Sequence, residues 1–442
     1  MKDIKDLRMK LMAFLICLFS LMTVNAQEAT INGLNYYLYP ETHEAAINVS
    51  IWSGELDIPS EVKYNEETFT VTGIRQLAFD GCNELTKVRI PKTIDHVVHY
   101  VLTDEPNITG GDDSDESCMN PFYRCKALES IEVDEENPIF KTIDGLLFSK
   151  DGTGLYCYPG GVKSEKYVVP EHVTWIGGAA FGYNEHIVTL ELPTTIKEFH
   201  STFWGCTRLE KVNLPENLTY ISAYMFTDCS SLKSVEIPSG VTYMGESVFR
   251  GCSSLESIVL PVNVSFIGGL AFSCCTSLET IVLPSSLSVT ENSMFSGCTS
   301  LKTATIPDGM TVIGSYMFRD CSSLKELDLP ESVNLIGWGA FKGCKFNHLI
   351  IRGVLNLYSS DRYIFDGMDT STIIYTPASQ VESLKKIYGG DVLPLEEYTS
   401  NIRPTNNSYD KPSPTYNLQG RRLSTTPQKG VYIQNGKKKL VK

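Results

Sequence analysis

The chain has no Gly-x-Ser-x-Gly elbow, no phosphate-binding glycine loop and no Cys-x-x-Cys pair. The usual local signatures of a serine hydrolase, a nucleotide enzyme and a thiol redox centre are therefore missing. Beyond residue 24 no apolar run is long enough to cross a membrane as a helix. Positive charge is scarce: 38 Lys and Arg stand against 52 Asp and Glu, for a net charge of −14. The deficit is uneven. Residues 27–401 carry a net −24, whereas residues 402–442 hold nine bases and one acid. So acidic a body excludes nucleic acid as a partner, because a polyanion binds through lysine and arginine.

Metal chemistry is poorly supplied as well. His96 and His99 are three apart, but a zinc site needs further ligands at a definable spacing. Asp112, Asp113, Asp115 and Glu116 lack the glycine and the terminal glutamate of a calcium loop and read as a solvated acidic loop. The adjacent Cys274 and Cys275 have no metal-ligand spacing. Carboxylate pairs arise by chance in any repetitive chain. No residue is therefore assigned a catalytic or metal-binding role, no cofactor is expected, and the chain reads as a non-enzyme.

What the chain does have is a period. Phenylalanines fall at 203, 226, 249, 272, 295, 318 and 341, a step of 23 each time, and a cysteine follows each by three residues. Phe79 with Cys82 and Phe122 with Cys125 repeat the pairing. A fixed period of this size marks stacked units that share one core. In the unit around Phe272, residues 262–268 read as extended, Gly269 to Phe272 as a tight helical turn, and Leu278 to Leu283 as a strand ended by Pro284. Gly268 marks a corner where a side chain would crowd the backbone. Leu278, Ile281 and Leu283 face inward with Phe272 and Cys275. Parallel strands about 4.8 Å apart are expected. Nine of the 13 cysteines occupy the same slot. They predict a buried ladder of reduced thiols acting as small apolar side chains, rather than disulfides or metal ligands. Cys274 takes a slot usually held by glycine and should point outward.

The outward letters of the strand lie at Phe + 7, + 8 and + 10. The + 7 row is Glu210, Lys233, Glu256, Glu279, Lys302, Lys325. The + 10 row is Asn213, Glu236, Val259, Val282, Thr305, Asp328. Solenoids present such continuous faces to protein partners. The candidate ligand-binding residues are therefore Glu236, Glu256, Val259, Glu279, Val282, Thr305 and Asp328.

Around the repeats, residues 1–26 have a basic start (Lys2, Lys5, Arg8, Lys10), an apolar run from Leu11 to Val24 and a small-residue Val24-Asn25-Ala26 end. That is the pattern of a secretory signal, with Gln27 as the first mature residue. Residues 27–73 alternate around Gly and Pro as short strands and suit an N-terminal cap. The repeats run over 74–377, with insertions near 92–121 and 139–169, the latter hairpin-like. Residues 378–402 form a C-terminal cap, in which Val381, Leu384 and Ile387 share a helical face. A proline-rich linker follows over 403–415, then a short β-hairpin tail over 416–442 containing the Asn435-Gly436 turn signal.

The unit resembles the BspA-like leucine-rich repeat, which reads Leu-x-x-Ile-x-Leu-Pro, then Ile-Gly, then Ala-Phe-x-Gly-Cys. The departures are the two insertions, Asn184 in a cysteine slot and a one-residue slip after Cys344. The resemblance implies an α/β but β-rich fold, a right-handed leucine-rich-repeat solenoid with caps and a small C-terminal β module. It also implies exposure outside the cell and, in some members, adhesion. The tail resembles the short C-terminal modules of Bacteroides-group surface and secreted proteins, some of which resemble sorting domains, which implies either attachment at the outer-membrane surface or release. The expected partner is an extracellular protein or glycoconjugate, with no membrane span once the signal is removed. The competing expectation is a secreted enzyme or glycan-processing accessory with its site in the 92–169 insertions.

Overall fold

A computed structural model describes residues 26–98, 120–199, 201–357 and 363–401, and beyond them the strands Thr415–Tyr416, Arg422–Leu423, Gly430–Gln434 and Lys437–Val441. Residues 1–25 of the expected signal, His99, the acidic loop and most of the expected linker lie outside these residues. The chain divides into two compact units, one of Met1–Lys163 with His172–Asn184, the other of Ser164–Glu171 with Glu185–Lys442.

The first unit begins with an antiparallel hairpin, Gln27–Ile31 against Leu34–Tyr39, in which Ile31 faces Leu34. Asn32 and Gly33 close it at φ 50° and 87°, the left-handed pair that a two-residue hairpin turn requires. Leu34, Tyr36 and Leu38 point into the core. Pairing then turns parallel: Ser53–Asp57, Glu84–Ile90 and Ser130–Val133 are successive strands of one sheet. Phe79 stacks on Phe122 with ring centres 5.5 Å apart. The second insertion is the expected hairpin, Phe140–Ile143 against Leu146–Ser149. Phe140, Leu147, Phe148 and Cys157 are buried, so this segment builds core.

The second unit is a β-solenoid whose successive coils are in register at the repeat spacing. One parallel row contains Lys166–Val168, Thr189–Glu191 and Lys211–Val212, then Thr280–Val282 with Thr303–Thr305, then Glu326–Leu329 with His348–Ile351 and Ile373–Thr376. A second parallel row pairs Tyr220 with Tyr243 and Tyr243 with Phe266, and further along pairs Val312 with Leu335. Between the rows runs a stack of phenylalanines. Neighbouring ring centres are 5.3–5.6 Å apart from Phe203 to Phe318, then 6.5 Å at Phe341 and Phe365. Near-parallel stacked rings add about 0.5–1.5 kcal/mol per pair to their burial.

The corner around each phenylalanine is not the helical turn that the sequence suggests. Leu270 and Cys274, on either side of Phe272, have φ 58° and 61°, and Ser247 with Gly251 repeats the pattern at 54° and 74°. Two left-handed residues within five break an α-helix. The N–H groups bond the next coil instead: Phe249 donates to Ala271 at 2.8 Å and Phe272 to Met294 at 2.9 Å. Stacking supplies the partners that a helix would otherwise provide, as buried backbone requires.

The cysteine ladder is present, and it does more than fill space. In the second unit Cys229, Cys252, Cys275, Cys298, Cys321 and Cys344 each donate Sγ–H to the carbonyl of the phenylalanine one coil earlier, at 2.9–3.2 Å. Cys125 does the same to Phe79 at 3.0 Å in the first unit. Asn184, in the same slot, donates Nδ2 to Pro159 O at 3.5 Å. In these coils the slot holds a compact donor as well as an apolar body, whereas in the last copy the buried Met368 fills it without one. The eleven described cysteines are free thiols, and Cys274 is the exposed one. Burial pushes Cys298 and Cys344 up to about 12, and raises Cys252 and Cys275 well above the ordinary thiol value. At pH about 8 these groups are neutral as well as shielded, and the thiolate is the reactive form. Maleimide on the native chain should therefore modify Cys274 and spare the ten buried cysteines until denaturant is added. Peptide mapping checks this, and rapid native labelling of the ladder would contradict it.

Candidate functional site

The first strand row presents its alternate side chains to solvent, as a period of two dictates. Leu255, Ile258, Leu278 and Ile281 are buried, while Glu236, Glu256, Glu279 and Thr305 are exposed. Val259 and Val282 are only half-buried, so the apolar centre of the face sits low between its neighbours. Val282 pairs directly with Thr305 across two coils, and Ser257 bridges Thr280. All seven candidate residues, with Asp328 in the coil after Thr305, thus belong to consecutive coils of one strand row.

The charges on this face largely answer one another. Lys233 Nζ reaches Glu210 at 2.7 Å and Lys302 Nζ reaches Glu279 at 2.6 Å. All four side chains are about half exposed, and such pairs add at most about 1 kcal/mol. They set a pattern of charge more than they hold the fold. Asp328 differs. Arg352 grips its carboxylate through Nε and Nη2, both at 2.7 Å, and this pairing raises the guanidinium pKa.

Two features of this face were not read from the sequence. One is its covered end. The helix Leu395–Asn401 brings Tyr398 against His348 and Tyr375, with ring centres 6.1 and 4.9 Å away. Its hydroxyl donates to Glu326 at 3.0 Å. The open part of the face therefore ends near Thr305. The other is a hollow of about 330 Å³ at the opposite end, lined by Val168, Thr189, Glu191, Lys211 and Asn213 among others. Asn213 makes it by replacing a backbone rung: Oδ1 accepts from Leu192 N and Nδ2 donates to Leu192 O, both at 2.9 Å. The step from Phe181 to Phe203 is 22 instead of 23, the one hint in the sequence.

In the first insertion, His96 Nδ1 lies 2.5 Å from Asp95, while His99 and the acidic loop fall outside the described residues. Among the described residues no group of three or more His, Cys, Asp or Glu could hold a metal ion, and no helix is long and apolar enough to cross a membrane.

The family described as the BspA type leucine rich repeat region, six copies, matches residues 60–153, 152–273 and 245–372. Among solved structures, a leucine-rich repeat protein from Bacteroides ovatus is 22% identical, with 83% of this chain and 99% of that one covered at a TM-score of 0.47. A leucine rich cell surface protein from Faecalibacterium prausnitzii is 18% identical, with 86% and 98% covered at 0.42. A leucine-rich repeat protein from Eubacterium ventriosum is 16% identical, with 71% and 93% covered at 0.39. No curated protein matches the chain.

Proposed function

The chain belongs to the BspA-type leucine-rich repeat family, and from that membership we propose that it is an exported, non-enzymatic binding protein. Its partner is an extracellular protein or glycoconjugate, taken up on the open strand face in an adhesion-type contact. The observation that supports this most is the division of labour within the repeat. The buried letters are nearly invariant from coil to coil, while the outward ones change from Glu236 through Val259 and Val282 to Thr305 on a rigid lattice. A face of fixed spacing and variable chemistry is what a solenoid offers a partner. Glu256 and Glu279 flank the valines, and Asp328, held by Arg352, closes the row.

Export is supported by the basic start and short apolar run of residues 1–26. Surface attachment is supported by the basic tail, whose described strands pair as one antiparallel sheet of four. Among the described residues no observation favours the enzymatic alternative, and Phe140, Leu147, Phe148 and Cys157 of the second insertion are spent on core packing.

Capture from panels of immobilised matrix proteins and glycans tests the reading. Val259→Asp with Val282→Asp should lower capture about tenfold or more while leaving the cooperative melt in place. Undiminished capture would move the site elsewhere, and no capture by any member of the panels would overturn an adhesive role.

A further inference from the structure

The second strand row carries a periodic feature of its own. Its outward position, six residues before each phenylalanine, is Tyr220, Tyr243, Phe266, Val289, Val312 and Leu335 in six consecutive coils. All six are apolar or aromatic, although the position faces solvent. Val289 and Leu335 are 42% and 39% exposed, and the other four are half-buried. The register stacks them: Tyr220, Tyr243 and Phe266 are direct partners, as are Val289, Val312 and Leu335. The Tyr243 and Phe266 rings lie 4.8 Å apart at 9°. Five steps of about 4.8 Å make a stripe about 24 Å long. At its end Leu335, Trp338, Leu355 and Tyr363 line a hollow of about 350 Å³, and Trp338 is 52% exposed.

The charge around this stripe is of one sign. The six segments that carry it, from each proline to the residue before the next phenylalanine (215–225, 238–248, 261–271, 284–294, 307–317 and 330–340), contain five acids and no Lys, Arg or His. The acids are Glu216, Glu246, Glu291, Asp308 and Glu331. None makes an ion pair among the described residues, in contrast with Glu210, Glu279 and Asp328 on the strand face. Every base of these coils sits elsewhere in the repeat. A long apolar stripe flanked in sequence by carboxylates with no ion-paired base, of which only Glu331 feels a nearby guanidinium, that of Arg352, marks an interaction surface, and the flanking charge selects the charge of the partner.

We propose that this second face is a docking surface for an extended cationic polypeptide segment that carries apolar side chains. An extended strand of about seven residues covers 24 Å. Its apolar side chains lie along Tyr243, Phe266 and Val289, one of them enters the Trp338 hollow, and its Lys or Arg residues meet the flanking acids. A neutral sugar could stack on the rings and donate hydroxyls to the acids, but its binding would not depend on a positive charge, and a polyanion would be repelled.

The test uses the full chain and three synthetic nonapeptides: alternating Lys and Leu, the same with Ser for Leu, and the same with Glu for Lys, each read by fluorescence anisotropy at about 0.15 M salt. The Lys–Leu peptide should bind, and the other two should bind at least about tenfold more weakly. Val289→Lys and Leu335→Lys place a repelling charge at exposed positions without opening the core, and should each weaken binding about tenfold. Glu246→Gln/Glu291→Gln/Asp308→Asn should weaken it several-fold. The same charge change in the first unit, Glu61→Gln/Glu67→Gln/Glu84→Gln, should not. Equal loss from the two triple variants, or equal binding of the Ser peptide, would mean bulk charge attraction alone and overturn the proposal. So would a neutral oligosaccharide that displaces the peptide. Val259→Asp with Val282→Asp should leave peptide binding unchanged, which separates this face from the one in the proposed function.

Discussion

Phe272→Ala is expected to destabilise the second unit by about 3–5 kcal/mol, the range for a fully buried aromatic cut back to a methyl group. Phe272 is inaccessible to solvent and lies between Phe249 and Phe295, at 5.6 and 5.5 Å. Removing the ring leaves a gap faced by rings on two sides. The gap cannot close easily, because the coil spacing is set by the backbone bonds from Phe249 N to Ala271 O and from Phe272 N to Met294 O. The cost of a large-to-small change grows with the cavity that survives relaxation. Phe272→Leu should lose less than the Ala variant, since it keeps more of the volume. In a stacked array stability is nearly a sum of local and nearest-neighbour parts, so the loss should also be local. Urea unfolding measures the total. Native thiol labelling measures the locality: Cys275 and Cys298 should become reactive before Cys206. An Ala variant as stable as the parent, with the same labelling order, would show that the ring stack does not support the fold.

The period itself was legible because each coil repeats one buried letter per position, and burial is what a sequence records most faithfully. The thiol hydrogen bonds were harder to see. Cysteine reads as a small hydrophobe, and only Asn184, a polar residue in the same slot, hints that the slot wants a donor. The corners misled for a different reason. Gly269-Leu270-Ala271-Phe272 has no left-handed signature, and leucine has no preference for φ 58°. The carbonyls of the next coil stabilise that conformation, and their position depends on the stack as a whole. The cover over the strand face was hidden by distance, since Tyr398 and Glu326 are 72 residues apart. The stripe from Tyr220 to Leu335 is as periodic as the core, but its letters are apolar at an outward position, and only the fold shows which way they point. The separation of roles is physical: inward letters are fixed by packing, so partner-specific chemistry has only the outward letters in which to vary.

Gly268→Ala is the second change with a large expected effect, and it tests coil spacing instead of core volume. A Cβ at this position would lie 2.5 Å from Glu246 N, 2.7 Å from Glu246 Cα and 2.7 Å from Gly245 C, all backbone atoms of the preceding coil. No side-chain rotation relieves such contacts, so the two coils must separate at this corner. The bond from Gly268 N to Met244 O, 2.9 Å long, lies on that line and would lengthen. Overpacking costs about 1–3 kcal/mol, and a weakened buried hydrogen bond adds about 1. Gly245, Gly314 and Gly337 meet the preceding coil at 2.3–2.4 Å in the same way, so these coils share the requirement. Not every coil keeps the glycine: Ser222 and Phe199 hold the slot in the two coils before Gly245. Glu291 occupies this slot in the coil between Gly268 and Gly314, and there the second row thins to a single bridge from Val289 to Val312. Gly309→Ala is the matched control, because its Cβ would meet nothing nearer than Ser285 O at 3.7 Å. Amide exchange at Gly268 and Ile267 should speed up in the Gly268→Ala chain while the Gly309→Ala chain keeps the parent pattern. Equal melting temperatures for the two variants would mean that the stack can widen at a corner without penalty, and coil spacing would then be set by the phenylalanine and cysteine columns alone.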